Sequence, residues 1–247
     1  MLSLPAVVTL WDRIDKSLHR VRENIAAACA RSGRSQREVS IVAVTKSATL
    51  EATATAVELG LTDLGESRIQ QLLERAAALE GALRKRRNAK APVRWHMIGH
   101  LQRNKVRATL EVVEAIHSVD SLRLAEAIDQ RAEERGKVVD VLIQVNCSQE
   151  PQKFGVAVGA AAYLGELVST LKHLRLVGLM TMAPRVDNPE KARPSFLRLR
   201  ELFEEMRKDG IGGSDFRHLS MGMSQDYAVA VEEGATILRI GTALFGR

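Results

Sequence analysis

Ser40-Ile41-Val42-Ala43-Val44-Thr45-Lys46, followed by a helical stretch from about Leu50 to Leu59 that Gly60 stops, is the unit whose repetition decides the fold. The run is short and almost continuously apolar, the pattern of a parallel strand covered on both faces. Comparable runs recur at Thr62–Gly65, Arg94–Ile98, Ala115–Ser118, Asp140–Asn146, Leu174–Met180, Phe216–Ser220 and Thr236–Ile240, which makes eight with the first. Helical stretches fall between them at about 68–83, 102–112, 122–136, 157–172, 190–209 and 225–233, with Gly136, Gly210 and Gly234 at helix ends. Eight strand–helix units predict a closed (β/α)8 barrel. An open doubly wound sheet is the alternative, but no glycine-rich dinucleotide turn follows the first strand. Ahead of the barrel, Ile14, Leu18, Val21, Ile25 and Ala28 recur at spacings of three and four, so the barrel carries an extra N-terminal helix. Residues 1–247 thus read as one barrel domain, with 1–34 as a helical extension.

Composition agrees. The 247 residues suit one barrel, and 45% hydrophobic content suffices for a core. With aromatics at only 4%, Leu, Val, Ile and Ala must fill the interior, which suits barrel strands better than a sandwich. Cys29 and Cys147 are far apart and lack metal-ligand spacing. No stretch approaches a membrane span and no targeting segment is evident, so a cytoplasmic protein without membrane contact is expected. The net charge of +6 is concentrated at Arg84–Arg87, Lys90, Arg103, Lys105 and Arg107. Without interleaved aromatics or a recognition motif this reads as a solvated surface, and no nucleic-acid partner is expected.

Barrel chemistry collects at the C-terminal ends of the strands, with phosphate often held after the seventh and eighth. The first strand ends in Lys46, on the same face as Val42 and Val44, where burial would favour a neutral amine that attacks aldehydes. A lysine snorkelling to solvent is the plainer alternative. After the seventh strand comes Met221-Gly222-Met223-Ser224-Gln225-Asp226, and after the eighth Gly241-Thr242-Ala243-Leu244-Phe245-Gly246. Both turns carry glycine and a hydroxyl, and small residues let backbone N–H groups approach an anion. Arg239 precedes Gly241 by two and shares its side of the strand; it pairs either with a protein carboxylate or with a ligand heteroatom. An aldehyde-seeking lysine, a phosphate cup and an arginine for a ring nitrogen form a coherent set of holds for pyridoxal 5′-phosphate. An aldolase-like imine with a sugar phosphate would use the same lysine and cup.

These residues resemble the pyridoxal phosphate homeostasis protein family, also called the proline synthetase co-transcribed family, whose barrel is similar to the N-terminal domain of alanine racemase. The resemblance runs through Ala43-Val44-Thr45-Lys46, Trp95-His96-Met97-Ile98-Gly99-His100-Leu101-Gln102, His117-Ser118-Val119-Asp120, Lys153-Phe154-Gly155, Gly178-Leu179-Met180 and the two turns above. It implies that Lys46 forms a Schiff base with the cofactor. By the same resemblance Ser224, Gly241 and Thr242, with Met221 and Gly222 in the turn, hold its phosphate, and Arg239 faces the ring nitrogen. Where the family commonly has Gly-Glu-Asn, this chain has Gly65-Glu66-Ser67, so Ser67 replaces an asparagine near the cofactor and the hold there is altered. His96 either contacts the cofactor or lines the barrel interior, and Asn146 either contacts it or caps its own turn. Lys153 is a solvated loop lysine or a second aldehyde site.

An arginine on the ring nitrogen makes the cofactor a weak electron sink, and no second domain follows to supply a base. Tyr163 and Tyr227 are the chain's tyrosines, and both read as packing residues. The expected role is therefore a non-catalytic, monomeric carrier that stores pyridoxal phosphate and delivers it, with apo forms of dependent enzymes as the expected recipients. A slow racemase of the alanine racemase type is the enzymatic alternative.

Overall fold

A computed structural model describes residues 8–86 and 92–246. Eight parallel strands close into one barrel in chain order: β1 (Ser40–Val44), β2 (Asp63–Glu66), β3 (Arg94–Met97), β4 (Val113–Val119), β5 (Val139–Gln144), β6 (Leu174–Met180), β7 (His218–Ser220) and β8 (Ile237–Ile240). Closure is made by β8 against β1, with Ser40 opposite Ile237 and Ala43 opposite Ile240. Around it lie α1 (Leu10–Arg31), α2 (Leu50–Glu58), α3 (Ile69–Arg84), α4 (Val106–Thr109), α5 (Leu122–Glu133), α6 (Ala161–Ser169), α7 (Arg193–Lys208), α8 (Tyr227–Glu232) and α9 (Thr242–Phe245).

The extra helix forms for local reasons. Thr9 and Asp12 make a reciprocal capping box, and the stripe Ile14, Leu18, Val21, Ile25 and Ala28 is buried. That stripe packs on α2, α8 and α9. Polar links fix it there: Asn24 Nδ2 donates to Tyr227 Oη at 2.7 Å, and Arg31 pairs with Glu232.

Several boundaries differ from the sequence expectation. The stretch 102–112 is a 3-10 turn, Arg103–Lys105, leading into the four-residue α4, because β4 already begins at Val113. Strand β7 starts at His218, since Phe216 turns inward and stacks on Phe203 at 4.8 Å. Strand β5 stops at Gln144, where Val145 keeps one bridge to Val156 and the chain turns into a loop. No described helix is long and apolar enough to cross a membrane.

The main apolar core lies between strands and helices, whereas Leu142, Val177 and Met180 form a separate small cluster. Polar side chains share the barrel interior with these and with Val42 and Val44. His117 on β4 bonds Ser220 on β7, and non-adjacent strands can meet in this way only across the inside.

Candidate functional site

A cavity of about 660 Å³ opens at the C-terminal mouth of the barrel, where the ends of β1, β2, β3, β5, β6, β7 and β8 all contribute lining residues. Lys46, Ser67, Ser224, Arg239, Gly241 and Thr242 line it together.

Arg239 is the buried member, 4% exposed. Its Nη1 donates to Ser220 Oγ at 2.7 Å and its Nη2 to the Thr181 carbonyl at 2.8 Å, both neutral acceptors. Among the described residues no carboxylate lies within ion-pair distance of it, which removes the protein-pairing alternative. Burial pushes its pKa down to about 10, against the field of Asp226. Burial likewise pushes the Asp226 carboxyl up, while hydrogen bonding from Met223 and the Arg239 charge oppose the shift. An arginine has five N–H donors, so those not spent on Ser220 and Thr181 remain for the cavity that it lines.

The turns after β7 and β8 are tied by one hydroxyl. Ser224 Oγ accepts from Gly241 N at 3.2 Å and from Ala243 N at 3.1 Å, which leaves its own proton to donate. Thr242 presents its hydroxyl beside it in the same lining. Gly222 makes the first turn possible: its φ is +90°, and a Cβ there would lie 2.6 Å from Ala230 Cβ. Gly222 and the fully buried Met221 thus shape the turn from behind and lie outside the cavity lining.

Lys46 lines the cavity on the same side as Val44, as the strand period requires, but it is exposed. Burial is therefore not what would activate its amine. The turn that carries it is clamped from below. Thr45 Oγ1 donates to Glu66 Oε1 at 2.6 Å, Arg75 Nε sits 3.0 Å from the same oxygen, and Arg75 Nη1 donates to the Ala48 carbonyl. Glu66 is fully buried.

The open alternatives resolve by geometry. His96 lies in the barrel interior, bonded to Asp63 and His117, and does not line the cavity. Asn146 caps its own turn, donating to the Glu150 carbonyl and accepting from Ser148. Lys153 is not a solvated loop lysine: its Nζ sits 2.6 Å from Glu150 Oε1. Tyr227 is buried as expected, whereas Tyr163 is 66% exposed on α6 and packs against little. In the basic patch Arg84 pairs with Glu80 and Arg86 with Glu58, while Arg87 and Lys90 lie outside the described residues.

Some lining residues escaped the sequence reading. His100 stacks on Phe154 at 4.0 Å with 10° between planes, and Gln144 donates to the Phe154 carbonyl. Gly99 lets the mouth close, because a Cβ there would lie 2.2 Å from the Ser67 carbonyl oxygen. The stretches that carry the family resemblance contain His100, Gly99 and Phe154 but gave them no role; Arg68 and Arg185, also in the lining, carried no signal.

With this geometry in view, comparison with known proteins is informative. The family model described as "Alanine racemase, N-terminal domain" matches residues 17–247. The pyridoxal phosphate homeostasis protein of Aquifex aeolicus is 41% identical over 229 residues, 93% of this chain and 96% of that one. Its namesake from Pseudomonas aeruginosa is 37% identical over 96% of this chain and 95% of the relative. Among solved structures, PipY of Synechococcus elongatus with PLP bound superposes with a TM-score of 0.79 at 30% identity, covering 94% of this chain and all of that one. An alanine racemase of Clostridium difficile shares the fold at 14% identity and a TM-score of 0.68, with this chain covering 56% of its length.

Proposed function

The chain belongs to the pyridoxal phosphate homeostasis protein family, whose barrel is that of the alanine racemase N-terminal domain, and from that premise we propose that it binds pyridoxal 5′-phosphate as a Schiff base on Lys46 and serves its storage and delivery. The observation that carries this reading is Arg239, a buried cation without a carboxylate partner among the described residues, lining a cavity that also presents Lys46. A buried charge requires an acceptor, and a heteroaromatic ring nitrogen is an acceptor of suitable size.

When bound, the cofactor would supply a reactive aldehyde and an electron-accepting ring. Each lining residue has a distinct task toward it. Lys46 supplies the amine for the aldehyde. Ser224 and Thr242 offer hydroxyl protons, and the Gly241 turn a close backbone approach, to the phosphate. Arg239 donates to the ring nitrogen and, keeping its proton, leaves that nitrogen unprotonated. Ser67 faces the cavity where the resemblance places an asparagine; its side chain is shorter, so its reach toward the cofactor is reduced and the hold at this corner is altered.

The same residues favour carriage over catalysis. Proton exchange at an amino-acid α-carbon needs a positioned base. Tyr227 Oη is engaged by Asn24, and Tyr163 stands in solvent on α6, so neither tyrosine is placed for that task. We take the chain to act as a single-domain monomer that keeps a reactive aldehyde sequestered and yields it to apo forms of dependent enzymes.

The test is the visible spectrum of the purified protein incubated with pyridoxal phosphate, before and after borohydride, with Lys46→Ala alongside. A visible band lost on reduction, with the modified peptide mapped to Lys46, is the expected result. A spectroscopically blank protein would overturn the proposal and bring the sugar-phosphate imine forward. Exchange of the α-proton of alanine well above free cofactor, abolished by Lys46→Ala, would overturn the carrier role alone.

A further inference from the structure

Arg239 is the end of a longer structure. Beneath it, four hydrogen bonds cross the barrel interior: Arg239 Nη1 to Ser220 Oγ at 2.7 Å, Ser220 Oγ to His117 Nδ1 at 2.9 Å, His117 Nε2 to His96 Nδ1 at 3.0 Å, and His96 Nε2 to Asp63 Oδ1 at 2.9 Å. The residues come from β8, β7, β4, β3 and β2, so the chain runs from the cavity to the start of β2. Ser220 and His117 are completely buried.

Its two ends fix its direction. A guanidinium only donates, and an ionised carboxylate only accepts. With one proton on each imidazole there is then a single consistent arrangement. His96 donates from Nε2 to Asp63 and accepts at Nδ1; His117 donates from Nε2 to His96 and accepts at Nδ1; the Ser220 hydroxyl donates to His117 and accepts from Arg239. Every bond points the same way, from cation to carboxylate. Two features of the surroundings sustain that arrangement. Burial holds His117 neutral by pushing its pKa far down, and the Arg239 charge reinforces this. At the far end, burial alone would raise the Asp63 carboxyl, but hydrogen bonds from His96 and Arg94 outweigh it and keep the group ionised.

We propose that Asp63, His96, His117 and Ser220 are positioning residues for the cofactor, forming a one-way hydrogen-bond chain that locks the aim of Arg239 at the ring nitrogen. The proposal rests on the pyridoxal phosphate reading of the cavity and adds to it residues that never touch the ligand. Aligned hydrogen bonds polarise one another, so the carboxylate at the far end strengthens the grip of Ser220 on Nη1. A guanidinium held in this way meets its acceptor without first being ordered, which strengthens the hold.

Two measurements on the full chain test it. Histidine side-chain ¹⁵N NMR, which needs no cofactor, reads the tautomers directly: His96 and His117 should each carry one proton, on Nε2. A proton on Nδ1 of His117, or a doubly protonated imidazole at either position, would overturn the chain. The second compares cofactor release and the visible band of the holoprotein for Ser220→Ala and Asp63→Asn against the parent. Ser220→Ala should release cofactor about 10-fold faster, the equivalent of one hydrogen bond to a charged group. Its band should also shift, because the donor at the ring nitrogen is no longer fixed. Asp63→Asn, at the opposite end of the barrel, should move both readings in the same direction by a smaller factor, and it carries the test if Ser220→Ala does not fold. Unchanged release and an unmoved band in holoprotein still trapped on Lys46 by borohydride would sink the positioning role while leaving the cofactor reading intact. Failure of the parent itself to load cofactor would overturn both.

Discussion

Replacing Arg239 by methionine should cost little stability and much cofactor. The structure supplies both sides of the comparison. The guanidinium is 4% exposed without a carboxylate partner among the described residues, and burial pushes its pKa down from the ordinary arginine range to about 10. That depression corresponds to about 3 kcal/mol spent on keeping the charge inside the folded protein. Because the folded value is the lower one, the cost is fully present at neutral pH and is relieved only as pH rises above about 10 toward the ordinary arginine range. Against it stand two hydrogen bonds from the charged guanidinium, to Ser220 and to the Thr181 carbonyl, worth about 1.5 kcal/mol each. Methionine has similar reach and no charge, so the difference should stay within about 1 kcal/mol, a Tm change of at most about 4 °C for a chain of this size. Cofactor release from the variant should nevertheless quicken about 10-fold or more through loss of a charged donor. Thermal melts of the cofactor-free protein and release rates of the loaded protein are the two assays. A Tm loss above about 8 °C, the size expected when a structural buried charge network is broken, would refute the view that Arg239 is held in strain for a ligand.

Other substitutions separate the roles of the lining residues. Lys46→Ala should abolish borohydride-trappable cofactor while leaving Tm within about 2 °C, since an exposed side chain is removed. Gly99→Ala places a Cβ 2.2 Å from the Ser67 carbonyl oxygen and must push the β2–α3 turn aside. It should cost about 2 kcal/mol in urea unfolding and weaken cofactor loading as well. Ser67→Asn, which lengthens the side chain at the edge of the cavity, should slow cofactor release; faster release would show that serine is already matched to this site. Burial pushes the Cys147 thiol from 9.0 up to about 11, outweighing its hydrogen bond with Thr181. Alkylation at mildly alkaline pH should therefore run at least about 100-fold slower in the native protein than after unfolding; equal rates would count against the buried placement.

The barrel was legible because its signal is repetitive: eight apolar runs, each followed by a helix, admit few arrangements. Element ends were less so. Nothing in the period of the strands says that Phe216 leaves the sheet to stack on Phe203, or that β5 stops at Gln144 so that Asn146 can cap a turn. That Lys46, Ser224, Arg239, Gly241 and Thr242 would meet in one cavity was legible for the same reason as the fold, since they sit at strand ends whose position the repeat dictates. What stayed hidden depends on distance across the barrel. The sequence left His96 either at the cofactor or lining the barrel interior and named no partner for it, yet His96 meets His117, twenty-one residues away, and His117 meets Ser220, a hundred and three away. Such pairings follow from closure and stagger of the strands. Lys46 shows the opposite error: alternation gave its direction correctly, but depth along a strand end decides exposure, and the strand stops two residues before it.

That depth suits a carrier. Lys46, the proposed covalent hold, stands at the open mouth, where an incoming amine from another protein could reach the same aldehyde. Arg239, the proposed non-covalent hold, is buried and backed by the buried Ser220 and His117. An enzyme of this chemistry benefits from the reverse, a shielded reacting centre with an acid–base pair on either side and a carboxylate to protonate the ring. Here the groups flanking Lys46 are Thr45, turned down onto Glu66, and Ser47 at the surface. The open lysine leaves the bond proposed to hold the cofactor accessible for exchange. The feature that weakens catalysis is thus the one that permits release.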